Sequence, residues 1–188
     1  MKRPLIGCIL AAALLLSGCG ASGTASAEAE SQSRELYAMD TVMTLTAYGP
    51  QADTALNAAE TEIERLDALW SISNDDGEIA RLNADKQATL SDDTITLLQR
   101  AKDISAATNG LFACTIEPIM EAWGFTSGSY TVPDSATLQT LLTHVDDTQI
   151  RINGNTAAIP ADVKVDLGGI AKGFTSDRVI TIFAENGV

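Results

Sequence analysis

The stretch Lys164-Val165-Asp166-Leu167-Gly168-Gly169-Ile170-Ala171-Lys172-Gly173 concentrates the groups of this chain that could do chemistry. Val163 and Val165 alternate with Lys164 and Asp166, the pattern of a half-buried strand, and an apolar helical pattern follows the glycines. Glycines at a strand-to-helix turn let backbone approach a ligand closely. A helix that starts there offers unpaired N–H groups and the positive end of its dipole, a seat for phosphate. Asp166 and Lys172 flank that seat with one charge of each sign. An acid, open backbone and a base at a helix start suit a pyrophosphate bridged by a hard divalent metal. The same residues also have a purely structural reading. Asp166 can cap the helix, the glycines can serve close packing of helix on sheet, and Lys172 can be a solvated side chain. The stretch is neither a G-x-x-x-x-G-K-S/T phosphate loop nor a G-x-G-x-x-G dinucleotide fingerprint.

Charge narrows the partners. The formal net charge is −13, from twelve basic and twenty-five acidic residues. Lys2 and Arg3 precede an apolar run from Leu5 to Leu16, and Leu16-Ser17-Gly18-Cys19 closes it with small residues and a cysteine. That is a secretory signal, too short to span a membrane as a stable helix. Its ending resembles the lipobox of bacterial lipoproteins, which implies cleavage before Cys19 and lipid on that thiol. Lipid chains hold a protein at a bilayer by about 0.8 kcal/mol per buried CH₂, so several make a lasting anchor. Loss of residues 1–18 removes two of the twelve basic residues and none of the acidic ones, leaving −15. A domain so acidic is a poor nucleic-acid binder and repels a free polyanion unless a cation sits between them. With Cys8 lost and Cys19 lipidated, Cys114 stands alone, so no internal disulfide is expected. Nothing in the sequence sets His144, the one histidine, near Cys114 to make it a nucleophile.

The elements that must position the 164–173 stretch follow from pattern. Residues 20–33 have no apolar period and read as a flexible tether after the lipidated cysteine, so the folded part is expected from Arg34. Residues 36–49 read as one strand, or two with a break near Met39-Asp40. Leu56, Ala59, Ile63, Leu66 and Trp70 form a helical stripe over 52–70, and Asn74 to Gly77 a turn before a short helical piece at 78–83. Ser91 caps a helix whose expected buried face is Ile95, Leu98, Ala101, Ile104 and Ala107, ended by Asn109-Gly110. In 111–125, Pro118 can start a short helix and Gly124 end it, and the dense apolar and aromatic content argues for a buried loop or a pocket wall. A helix from Pro133-Asp134 to Thr143, a hairpin turning at Asn153-Gly154 and a final helix closed by Asn186-Gly187 complete the list. Hairpins interleaved with long amphipathic helices predict an α+β fold, an antiparallel or mixed sheet flanked by helices. A capped helix after a strand normally leads into another strand, so the end at Val188 reads as a truncation.

Four pieces in this order carry a resemblance: Met39-Asp40-Thr41, Asp76 to Asn83, Phe112 to Phe125, and Asp166 to Gly173. Together they resemble the ApbE-type FAD:protein FMN transferases, over residues 34–188. The Asp-Leu-x-x-Ile-Ala-Lys-Gly string is the most specific piece. The resemblance implies a Mg²⁺-dependent transfer of FMN from FAD to a threonine of an acceptor flavoprotein, such as a membrane redox-pump subunit, with release of AMP. It implies a lipid-anchored protein on the extracytoplasmic side of a cell membrane. By the same resemblance Met39 would contact FAD, Asp166 would bind the flavin nucleotide, Lys172 its charged or ring atoms, and the Gly169 carbonyl Mg²⁺. Phe112, Ala113 and Cys114 match a backbone segment lining the FAD site, although the family usually has aspartate where Ala113 stands. Ser73 falls where some members set an aromatic on FAD. Family members continue for roughly as many residues again, and that second half completes the metal site. No catalytic residue is assigned within this stretch, and the piece alone is expected to be inactive. Two other classes stay open: a lipoprotein that holds FAD without transferring it, and a lipoprotein with a binding or structural role only.

Overall fold

The β-forming runs on either side of Met39-Asp40 fold back on each other as an antiparallel ribbon, β1 (Ser31–Ala38) and β2 (Thr41–Tyr48), in this computed structural model, which describes residues 30–188. The signal, Cys19 and residues 20–29 of the tether lie outside the described residues. β1 reaches back to Ser31, three residues into the segment read as tether, because Ser31–Ser33 pair with Thr46–Tyr48. Both turn residues are left-handed, Met39 at φ 51° and Asp40 at φ 55°. That geometry suits the twist of a two-residue hairpin but is uncommon for residues with a side chain.

The next helix, α1 (Ala52–Trp70), buries Leu56, Ala59, Ile63, Leu66 and Trp70, the stripe expected from the sequence. It packs on the ribbon and on the last helix, α6 (Gly168–Glu185). Arg178 of α6 pairs with Glu62 across that seam at 3.1 Å, and Arg65 pairs with Glu62 within α1 at 2.8 Å. Such exposed pairs contribute little each. Helix α2 (Glu78–Asp85) runs into β3 (Gln87–Thr89), a short strand that composition does not signal. β3 joins the hairpin of β4 (Arg151–Asn153) and β5 (Thr156–Ala158) in an antiparallel sheet ordered β3-β5-β4. The hairpin turns at Gly154-Asn155, one residue later than expected, since Asn153 still pairs with Thr156. Both sheets are antiparallel and helices flank them, the α+β arrangement expected.

Helix α3 (Asp92–Ala107) starts at Ser91, whose hydroxyl accepts from Thr94 N. Its buried face is Thr94, Leu97, Leu98 and Ala101, rotated from the one expected, with Ile95 and Ile104 only half-buried and Ala107 exposed. The reason is Thr94, which accepts from the Trp70 indole N–H at 2.9 Å and so turns inward despite its hydroxyl. Helices α4 (Glu117–Trp123) and α5 (Ser135–Leu142) follow, then a 3₁₀ turn (Asp147–Gln149). Gly124 ends α4 at φ 81°, and a Cβ there would lie 2.0 Å from the Ser129 carbonyl oxygen, so no other residue fits. No helix among the described residues is long and apolar enough to cross a membrane.

A further expectation, a strand at 163–165, fails. Residues 163–165 are extended, with Val163 and Val165 buried and Lys164 half-buried, but they join no sheet. Side chains do the pairing instead. Val165 donates to Asn83 Oδ1 at 2.7 Å and accepts from Asn83 Nδ2 at 2.8 Å, while the Lys86 ammonium donates to the Val163 carbonyl at 3.0 Å. The buried backbone groups are satisfied, as they must be, without a ladder.

Candidate functional site

The extended run ends by delivering Asp166 to the start of α6. The Asp166 N–H donates to the Cys114 carbonyl at 2.8 Å, which fixes its backbone, and its Oδ1 accepts from Gly168 N at 2.7 Å. Helix α6 begins after Leu167, which supplies no side-chain cap, so Asp166 does part of the capping that its type allows. Its Oδ2 has no protein partner among the described residues. The Gly169 N–H likewise finds no acceptor there, since only Ile170 and Ala171 reach back to the Leu167 carbonyl. Lys172 is exposed, one turn on, and makes no ion pair among the described residues.

Asp166 and Lys172 edge a groove of about 600 Å³ whose lining also includes Met39, Ser73 and Gly168, while Gly169 is not among its lining residues. The hairpin turn brings Met39 in, where the Thr175 hydroxyl donates to its sulfur at 3.6 Å. The end of α1 brings Trp70, held edge-to-face on Phe174 with centroids 5.4 Å apart, and the loop beyond it brings Ser73. Thus three separated pieces of sequence converge, bringing Met39, Ser73 and the pair Asp166 and Lys172 to one groove.

Phe112, Ala113 and Cys114 do not line this groove. Phe112 packs into the core behind α6, with its ring 3.2 Å from where a Gly169 Cβ would stand. Ala113 lines a second cleft beside Lys102 and Asp147. Cys114 is buried, and burial together with the neighbouring Asp147 carboxylate pushes its thiol up, the opposite of an activated nucleophile. Its backbone is also spent: the Cys114 and Thr115 N–H groups donate to Asp147 at 2.9 and 3.0 Å, and the Cys114 carbonyl takes Asp166 N. This segment therefore positions Asp166 and offers a ligand few groups of its own.

The Glu78-to-Asn83 piece is also a positioning device. Glu78 accepts from both the N–H and the hydroxyl of Ser91, each at 2.9 Å, tying α2 to the start of α3. Asn83 clamps Val165, the residue before Asp166.

The sequence reading missed Glu117. It lines the groove and is 2% exposed, and its Oε1 accepts from the Thr126 hydroxyl at 3.0 Å while its Oε2 has no partner among the described residues. Burial pushes its carboxyl up to about 7, with Asp166 and Glu121 adding to the effect and the Thr126 hydroxyl working against it. The signal was an acid set in an apolar run just before Pro118.

Among the described residues no group of three or more His, Cys, Asp or Glu side chains could hold a metal. The carboxylates that line the groove, those of Asp40, Asp67, Glu117 and Asp166, are hard oxygens but do not converge as a ready-made metal site. Hard oxygens are the ligand type of Mg²⁺, an ion that commonly takes only one or two carboxylates and fills its other positions with waters and phosphate oxygens.

Residues 39–188 match the model of the ApbE family. The chain belongs to that family. It is 25% identical over 187 residues to an FAD:protein FMN transferase of Treponema pallidum, covering 92% of this chain and 51% of the relative. A relative of the same name from Salmonella typhimurium is 25% identical over 193 residues, with 95% and 55% covered. The fold matches the crystal structure of the ApbE protein of Thermotoga maritima with a TM-score of 0.79 at 22% identity, over 84% of this chain and 53% of that one. It matches apo flavinyl transferase ApbE of Pseudomonas stutzeri with a TM-score of 0.76 at 22% identity, over 85% and 56%. The chain spans about half the length of the curated relatives it matches. All the lining residues of the groove except Tyr37 lie within the matched region.

Proposed function

We propose that the whole protein is an FAD:protein FMN transferase that moves FMN from FAD to a threonine of an acceptor flavoprotein, a membrane redox-pump subunit being one such acceptor. The reading is carried by the convergence of Met39, Ser73, Asp166 and Lys172 on one groove at the start of α6. The acceptor hydroxyl loses its proton as its oxygen bonds to the FMN phosphorus, and the P–O bond to AMP breaks. This chain's part is to hold the dinucleotide for that displacement. Its phosphates meet Lys172 and the unpaired Gly169 N–H, while Met39 and Ser73 meet the rest of FAD. Asp166 keeps one carboxylate oxygen for the ligand and spends the other on the helix start. Mg²⁺, with the Gly169 carbonyl as its ligand from this chain, would supply the positive charge that lets an acidic domain hold a pyrophosphate. Lipid on Cys19 would anchor the protein on the extracytoplasmic side of the membrane, and a free thiol at Cys19 by mass spectrometry of the mature protein would overturn that anchor.

The test is to incubate the full-length protein with FAD, Mg²⁺ and a threonine-bearing acceptor. A covalently yellow acceptor is expected. Tight FAD without transfer would instead make this an FAD-holding lipoprotein, and no FAD binding would leave a structural one. Asp166→Asn still accepts from Gly168 N, so thermal unfolding should hardly move. FAD affinity or transfer rate should fall roughly ten- to a hundredfold, the worth of a charged hydrogen bond of about 1.5–3 kcal/mol. Lys172→Met, which keeps the stem and removes the cation, should do the same. Near-parental transfer by both variants would make the stretch a packing turn.

A further inference from the structure

Glu117 has no place in that scheme, yet it is a groove residue with an unspent group. It opens α4 with Oε2 shielded from water and unpaired, a state that costs free energy until a partner arrives. The terminal torsion of a glutamate is soft, so a small rotation presents Oε2 to the groove that the residue lines. Phosphate does not fit beside it. Asp166 and Glu121 already set negative charge around the carboxyl, and Lys164 is paired with Glu121 at 2.6 Å. An uncharged polar edge does fit, and the same wall offers surface for a flat ring: Met120, Phe125 and Tyr130 line it, the two aromatic rings packed edge-to-face with centroids 5.6 Å apart. With its carboxyl held up to about 7, a large share of Glu117 carries a proton at neutral pH, which makes Oε2 a donor.

We propose that Glu117 is a specificity residue for the flavin end of the nucleotide: Oε2–H donates to a ring carbonyl of the flavin, the ring lies on the Met120–Phe125–Tyr130 wall, and the phosphates lie at the start of α6. The assignment rests on the proposed FAD-dependent function. Flavin carries ring carbonyls and adenine carries none, so FAD and ADP-ribose separate the two ends of the ligand.

The experiment measures the affinity of the full-length protein for FAD and for ADP-ribose by calorimetry at fixed Mg²⁺, for the parent, Glu117→Gln and Glu117→Leu. The amide of Glu117→Gln still donates, so its FAD affinity should stay within about twofold of the parent. Glu117→Leu should lose roughly three- to tenfold for FAD, the worth of one hydrogen bond, and nothing for ADP-ribose. Thermal unfolding checks that each variant folds, and Glu117→Met replaces the leucine variant if that one does not. Parental FAD affinity in Glu117→Leu would overturn the proposal, as would equal losses for both ligands. A loss in Glu117→Gln as large as in Glu117→Leu would also overturn it, because Oε2 would then be an acceptor. A parent that binds no FAD would overturn the transferase reading itself, and this assignment with it.

Discussion

Asp147 and Glu117 are buried to the same degree, each 2% exposed, and they are used in opposite ways. Asp147 accepts three hydrogen bonds, from the Cys114 and Thr115 backbone and the Thr115 hydroxyl, all between 2.8 and 3.0 Å. Glu117 accepts one and keeps an oxygen unpaired. A buried acid whose acceptor sites are filled by its own chain is a fastener. One that lines a groove with a site unfilled is poised for something outside the chain. The same contrast separates the two regions around them. Behind Asp166, Cys114 and Thr115 have spent their donors on Asp147, while Asp166 Oδ2 and Lys172 at the groove, and the Gly169 N–H in the first turn of α6, have no partner among the described residues.

Removing each acid is the strongest way to break this comparison. Asp147→Ala strands two backbone N–H groups and a hydroxyl in the interior, and should cost about 3–5 kcal/mol of stability, read from the urea midpoint. Glu117→Leu removes an unpaired oxygen along with its carboxyl and should cost less than about 1 kcal/mol in the same assay. Equal losses would mean that Glu117 fastens the fold after all.

The next effect is in pH. The Glu117 carboxyl ordinarily titrates near 4.5 and in the folded protein is pushed up to about 7 by burial. The folded state therefore holds that proton more tightly than the unfolded chain. Its contribution to stability is full below about 4.5, declines as pH rises toward about 7, and is flat above, for a total on the order of 3 kcal/mol. Glu117→Gln should remove that slope from a series of thermal melts between those limits. A slope that persists unchanged in the variant would assign it to other groups.

Much of the architecture could be read from periodicity, because α1 buries the stripe that its 3.6-residue spacing announces. The helix at Ser91 was equally legible at its cap, but its buried face was not. Nothing local tells that Thr94 will take the Trp70 indole N–H, a contact spanning 24 residues. Alternation at 163–165 correctly reported burial and wrongly implied a sheet, since the partner that satisfies Val165 is a side chain 82 residues away. In the site, the types of Asp166 and Lys172 marked them as candidates, and both line the groove, while Glu117 did not stand out. Its meaning depends on Thr126 filling one oxygen and nothing filling the other, which only the folded arrangement decides.

The smallest expected effect lies at the border of the two regions. Gly169 stands in the first turn of α6, with the Phe112 ring on one side and the unpaired N–H on the other. A Cβ at this position would meet Phe112 Cε2 at 3.2 Å, close enough that the ring must give by a few tenths of an ångström. Against that, alanine is favoured over glycine within a helix by roughly 0.5–1 kcal/mol. The two terms nearly offset, so Gly169→Ala should change stability by less than about 0.5 kcal/mol in denaturant titration. The backbone N–H and carbonyl survive the substitution, so FAD affinity at fixed Mg²⁺ should stay within about twofold. A tenfold loss of affinity in a variant that folds normally would show that the Phe112 side of α6 also faces the ligand. The boundary between the fastened region and the groove would then run through Phe112 and not through Gly169.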